Sequence, residues 1–220
     1  KDLIFYCEAG RILWQVDQKQ KPKSALNDVR RMVEEARRIR PEWHELFKLE
    51  AHLDEMEGNV AEAIDNYKLA IDKGTTNAAV PRQLLRLLFA RGRFEEAAAT
   101  LPHILPRLAA GDPFEKMVAE VMFRTGGADG PDQALRFVER RTELARTPQN
   151  LSWYGLYLQR AGKMDEAEKA FRESVELEPS YAQGWILLVT NLQEQRQPDE
   201  AEAAVEQAKA ALSGEDANLA

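Results

Sequence analysis

The stretch Leu151–Pro179, LSWYGLYLQRAGKMDEAEKAFRESVELEP, decides the fold. On either side of Gly162 and Lys163 its apolar residues recur at steps of three and four, the spacing of one face of a helix. The pattern predicts a first amphipathic helix ending near Arg160 and a second starting by Asp165 and closed by Pro179. Asp165 is expected to cap the second helix, its carboxylate accepting first-turn amides that have no partner inside the helix. Gly155 and Ala167 are small enough for the two backbones to approach, and replacing Ala167 by Leu should overpack the contact. No part of the chain shows sustained alternation, so no strands are expected.

Working outward, a small or branched residue followed four positions later by an apolar one marks six segments: Val29/Val33, Ala63/Tyr67, Ala97/Leu101, Ala134/Val138, Ala167/Phe171 and Ala201/Val205. The anchors lie 34, 34, 37, 33 and 34 residues apart. A fixed period of this size signals stacked supersecondary units, each too small to bury its own apolar face. Val118, Ala119, Met122 and Gly126 fall where Leu84, Leu85, Leu88 and Gly92 fall one unit earlier, so the extra residues of the 37-residue interval are placed in the Gly126–Pro131 turn. That turn is expected to be an elongated loop whose further lengthening costs well under about 1 kcal/mol.

Trp153, Gly155, Leu158, Gly162, Ala167, Phe171 and Pro179 together resemble the tetratricopeptide repeat motif. Trp185, Leu188, Leu192, Ala201 and Ala208 carry a second copy, and Gly58, Ala63, Tyr67 and Ala70 another. The resemblance implies an all-α, right-handed superhelical solenoid of about six helix-turn-helix repeats, approximately 3–41, 42–75, 76–110, 111–147, 148–181 and 182–212, with a disordered tail over 213–220. Three features depart from the motif. Glu50 stands at a leucine position, Arg141 at a small-residue position, and the first copy has an extra loop at Lys19–Lys23.

Composition agrees with a packed helical array. The 220 residues are 44% hydrophobic and 30% charged, and the apolar run at Leu84–Ala90 is broken by Arg86, well short of the roughly 20 residues of a membrane helix. A net charge of −7 disfavours nucleic acid and anionic lipid as partners. Cys7, the single cysteine, cannot form an internal disulfide and is expected to be buried as a small apolar residue. The chain opens on Lys1 and Asp2 with neither an initiator Met nor a secretory leader, and is expected to be a piece of a longer protein; the cytoplasm is the default compartment. Leu3, Ile4, Phe5, Tyr6, Ile12, Leu13 and Trp14 give the first helix more apolar surface than one neighbour covers, so further repeats or a second copy of the chain are expected over it.

No catalytic constellation emerges. His44 is followed four residues later by Lys48, not by the second histidine of a zinc peptidase helix, and His52 and His103 supply no third ligand beside it. Neither metal nor cofactor is expected. The pairs Glu95/Glu96, Asp165/Glu166 and Asp199/Glu200 recur at the start of the second helix of a unit, where negative charge complements the helix dipole. Trp14, Trp43, Trp153 and Trp185 are expected in the core, and Arg30, Arg31, Arg37, Arg38 and Arg40 on a solvated outer face with Glu34 and Glu35.

The function read from this pattern is a non-catalytic protein-protein interaction scaffold, with a regulatory or substrate-presenting arm of a larger enzyme, whose catalytic domain lies outside these residues, as the alternative. From the family resemblance, a concave groove would be lined by the fifth, ninth and twelfth motif positions. These are Lys48, Arg82 and Lys116, then His52 and Arg86, then Phe89 and Phe123. Later repeats offer Ser152, Leu156, Gln159, Ile186 and Thr190, so the groove should pass from basic to neutral and suit an acidic protein or peptide partner. His52, where the family's carboxylate clamp would have Asn, argues against a chaperone-tail ligand.

Overall fold

In the computed structural model, which describes residues 2–216 with side chains from 3 to 213, every long element is helical. The chain divides into two compact units, residues 1–107 and 108–220. The first contains α1 (Asp2–Asp17), α2 (Leu26–Ile39), α3 (His44–Glu57), α4 (Val60–Asp72), α5 (Ala79–Ala90) and α6 (Phe94–Ile104). In the second are α7 (Glu115–Thr125), α8 (Gly130–Leu144), α9 (Pro148–Arg160), α10 (Met164–Leu177), α11 (Ala182–Glu194) and α12 (Pro198–Asp216). Successive helices pair as hairpins, three per unit, and each hairpin packs on the next through α2/α3, α4/α5, α8/α9 and α10/α11. Contacts between first helices, α1 with α3 and α9 with α11, complete the stacking.

The six anchors are what hold each hairpin shut. Val29, Ala63, Ala97, Ala134 and Ala167 are fully buried and Ala201 nearly so. Their apolar followers Val33, Tyr67, Leu101, Val138 and Phe171 are buried too, and Val205 is half-buried. Opposite Ala167, the Phe171 ring lies against Gly155, where an added β-carbon would stand 2.4 Å from Phe171 Cε1. Inside the second, third and fifth hairpins the turn runs through Gly58, Gly92 and Gly162, each with φ between 67° and 88°, a region open to glycine at no steric cost. Arg196 holds that place in the sixth hairpin, at φ 59°.

Several expectations are corrected. Asp165 is the second residue of α10, with Lys163 at the cap and no side-chain cap bond, so its charge acts on the helix dipole; Asp199 likewise lies in the first turn of α12. Side-chain capping is seen instead at Thr147, whose Oγ1 accepts the Asn150 amide at 3.2 Å. Cys7 is exposed, as is Trp14 at 56%, because both lie on the side of α1 away from α2 and α3; Trp153 and Trp185 are buried and Trp43 is half-buried on Tyr6. Helix α12 continues through Asp216, and residues 217–220 of the expected tail lie outside the described residues.

The inserted turn is also not a loose loop. A short 3-10 turn fills Gly127–Asp129 and α8 begins at Gly130, which is buried. A β-carbon on Gly126 would sit 2.3 Å from Gly130 Cα, and one on Gly130 2.7 Å from Phe123 O. Two backbones touch here without side chains between them. Gly130→Ala should therefore destabilise unit 2 by about 1–3 kcal/mol, and an unchanged melting temperature would return the turn to the loose loop first expected.

The departure at Glu50 is met by an ion pair. Glu50, whose carboxyl burial pushes up, is met by Arg37 of α2, with Arg37 Nε 3.0 Å from Oε1 and the guanidinium 5.2 Å from the Phe47 ring. Arg30 reaches Glu57 and Asp54 of α3, while Arg31 and Arg38 pair within α2 with Asp28 and Glu35. The basic run is thus partly a clasp between α2 and α3.

Candidate functional site

A cleft of about 580 Å³ opens in unit 1 between α3 and α5, reached also by Asp17 at the end of α1 and by Tyr67 of α4. Its floor is apolar, made by Leu49, Met56 and Val80, with the exposed Ala79 at its edge, because the stacking helices present aliphatic residues to one another. Its rim carries Lys48, His52, Gln83 and Arg86. Three of the expected groove residues, Lys48, His52 and Arg86, therefore converge.

The rim is not simply basic. Glu55 accepts the Tyr67 hydroxyl at 2.6 Å and pairs with Arg86, while Arg86 Nε donates to Gln83 Oε1 at 2.8 Å. Burial, followed by the bond to Glu55, pushes the Tyr67 hydroxyl well up, which keeps it a donor. Lys48 pairs with Glu45, which also accepts Tyr6 Oη at 2.6 Å. Burial pushes the Glu45 carboxyl up, but the bonds from Lys48 and Tyr6 outweigh it and hold it below its ordinary value. The cations of this cleft are held in place by the protein's own carboxylates.

Arg82 lies half-buried on α5 outside the cleft lining, and Phe89 packs edge-on against Phe94 at 5.5 Å within its own hairpin. Lys116 and Phe123 belong to unit 2. There a second cleft of about 490 Å³ is lined by Lys116, Glu120, Trp153, Leu156, Tyr157 and Arg160, among others. Arg160 Cζ stands 3.5 Å from the Phe123 ring centroid and 5.0 Å from that of Tyr157. Glu120 anchors the guanidinium at 2.6 Å and is itself held by Arg124. Phe123 is thereby covered by a cation, and the apolar edge expected of it is supplied by Leu156 and Trp153. Ser152 is buried, 2.9 Å from Ser174 Oγ at the α9/α10 contact, and does not face a groove; Ile186 is exposed.

Sequence reasoning missed the Glu55–Tyr67–Arg86 and Glu120–Arg160–Phe123 networks. Their members lie 12, 31, 37 and 40 residues apart in the chain, and only the repeat register could have brought them together. Among the described residues no group of three His, Cys, Asp or Glu converges on a metal-sized site, and no helix is long and apolar enough to cross a membrane.

With this geometry in hand, residues 149–181 match the tetratricopeptide repeat family profile. The chain has the tetratricopeptide-repeat fold. Solved structures similar to it include MamA, at a TM-score of 0.61 and 15% identity over 76% of this chain and 91% of that one. YrrB, described as a TPR protein with an unusual peptide-binding site, gives 0.59 and 19% over 81% and 91%. The C-terminal part of a TPR repeat-containing protein from Cytophaga hutchinsonii gives 0.64 and 12% over 95% and 80%. No curated protein matches by sequence. The matched segment contains the hairpin of α9 and α10, including Gly155, Ala167, Phe171 and Pro179.

Proposed function

We propose that the chain is a non-catalytic protein-interaction scaffold whose α3/α5 cleft takes an extended or helical segment of a protein partner. The observation that carries this reading is the cleft itself, an apolar floor under a rim of oriented, ion-paired polar groups. That combination suits a peptide with an apolar anchor and flanking charge. The peptide-binding description of YrrB supports the same use of the fold. Since Lys48 and Arg86 already have carboxylate partners, an acidic ligand exchanges one carboxylate for another. Its charge then contributes more to orientation and encounter than to affinity.

Replacing Arg86, the cleft-rim cation on α5, by Gln tests the site, since Arg82 lies outside the lining. Capture of the partner should weaken and become less sensitive to salt while helicity is retained, and wild-type capture should weaken as salt rises through the range where screening shortens to about 8 Å. Undiminished, equally salt-sensitive capture by the folded variant would move the site away from α5.

A further inference from the structure

A second groove in unit 2, on the side formed by α8 and α10 with α9 as its floor, has a chemistry of its own. It is a cleft of about 280 Å³ lined by Leu151, Leu158, Ala170 and the Tyr154 ring, with Glu139, Glu143, Glu166 and Glu173 on its rim. Its size lies just below the roughly 300–1,000 Å³ of small-molecule sites, which suits one inserted side chain.

The repeat supplies an internal control. Unit 1 has the corresponding groove between α4 and α6, and the two match position by position. Lys68 there becomes Glu139, Asp72 becomes Glu143, Leu84 becomes Tyr154, Glu96 becomes Glu166 and His103 becomes Glu173. In unit 1 the facing pair is neutralised, for Lys68 bridges to Glu96 and Arg93 holds the same carboxylate at 2.6 Å. In unit 2 both facing residues are carboxylates. Arg146 pairs with Glu173 and Lys163 lies 3.5 Å from Glu166, while Lys169 stands on the rim and Arg136 and Arg140 are exposed on α8 outside the lining. Glu139 is met by Tyr154, whose hydroxyl donates to its Oε1 at 3.1 Å. The resulting field registers on that tyrosine: burial first, then Glu139, Glu166 and Glu143, push its hydroxyl up to about 12.

We infer that this groove docks a cationic segment of a protein partner by seating an arginine side chain on Tyr154 between Glu139 and Glu143. The arginine lies along the half-buried Tyr154 ring, above a floor that Leu151, Leu158 and Ala170 close, and its guanidinium takes the tyrosine face and the rim carboxylates together. A lysine would satisfy the charge but neither the plane nor the fork. This reading does not depend on the α3/α5 cleft.

The test uses the whole chain and a defined probe, an alanine-based helical peptide carrying Leu and Arg on one face, titrated by calorimetry at low and moderate salt. Saturable binding is expected, weakened by salt. Glu139→Lys gives unit 2 the residue that unit 1 has and provides Glu166 with the partner Glu96 already enjoys, so the variant should fold. It should bind the probe roughly tenfold or more weakly, as loss of a charge-assisted contact implies. Replacing the probe arginine by neutral citrulline should weaken binding comparably. Absence of saturable binding to the wild type, or equal binding by folded Glu139→Lys or by the citrulline peptide, would overturn the inference.

Discussion

Phe171→Ala is expected to lower the unfolding free energy by about 3–5 kcal/mol, the range for emptying an aromatic site in a packed core. Phe171 is completely buried, and its ring edge occupies the space a β-carbon would need at Gly155. The hairpin therefore contains one ring that belongs to two helices at once. Gly155→Ala alone should cost about 1–3 kcal/mol, because the new methyl meets Cε1 at 2.4 Å, Cδ1 at 2.8 Å and Cζ at 2.8 Å. Combining Gly155→Ala with Phe171→Leu should cost clearly less than the two single changes added together, since each relieves the other's defect. Urea unfolding followed by Trp153 and Trp185 fluorescence, with Trp14 and Trp43 replaced by Phe, reads unit 2 directly. Strict additivity would mean that Gly155 is small for some reason other than this ring.

A close hairpin contact was legible in the sequence because it depends only on spacing, but the sequence sets Gly155 against Ala167, whereas the side chain nearest Gly155 is the Phe171 ring. Gly155, Ala167 and Phe171 sit at fixed offsets within one period, and a repeat shows the same offsets several times over. The groove was harder to read. Lys48, His52 and Arg86 are legible as equivalent positions on first helices, but the pairing of the two cations is not, since Glu45 meets Lys48 within α3, Glu55 of α3 reaches across to Arg86 of α5, and Tyr67 enters from α4. Linear spacing places a residue on a face but does not say which neighbour claims it. Trp14 and Cys7 illustrate the same limit: helical periodicity puts them on an apolar-looking helix, but exposure depends on which sides α2 and α3 cover. The Gly126–Gly130 turn failed for another reason, because glycines signal equally a loose loop and a close backbone crossing.

Arg141→Met should cost about 3–5 kcal/mol, the penalty for leaving one member of a buried ion pair uncompensated. Glu115 is 4% exposed, and its Oε1 is paired with Arg141 and accepts the Gly111 amide at 3.2 Å. Arg141 also donates to the carbonyls of Leu108, at 3.2 Å, and Ala109. One guanidinium thus fastens α8 to α7 and to the irregular segment before α7, and a small residue at this position could do neither. The loss should be largely recovered by Arg141→Met combined with Glu115→Leu, which removes both charges and leaves apolar volume behind. Amide exchange at Gly111 separates the contributions. It should accelerate in Arg141→Met and stay fast in the double variant, because the carboxylate that accepts that amide is then missing even though the helices pack. A cost near the value of about 0–1 kcal/mol measured for exposed ion pairs would mean that water reaches the pair in solution. The arginine would then be a tolerated departure from the repeat and not the clasp its burial implies.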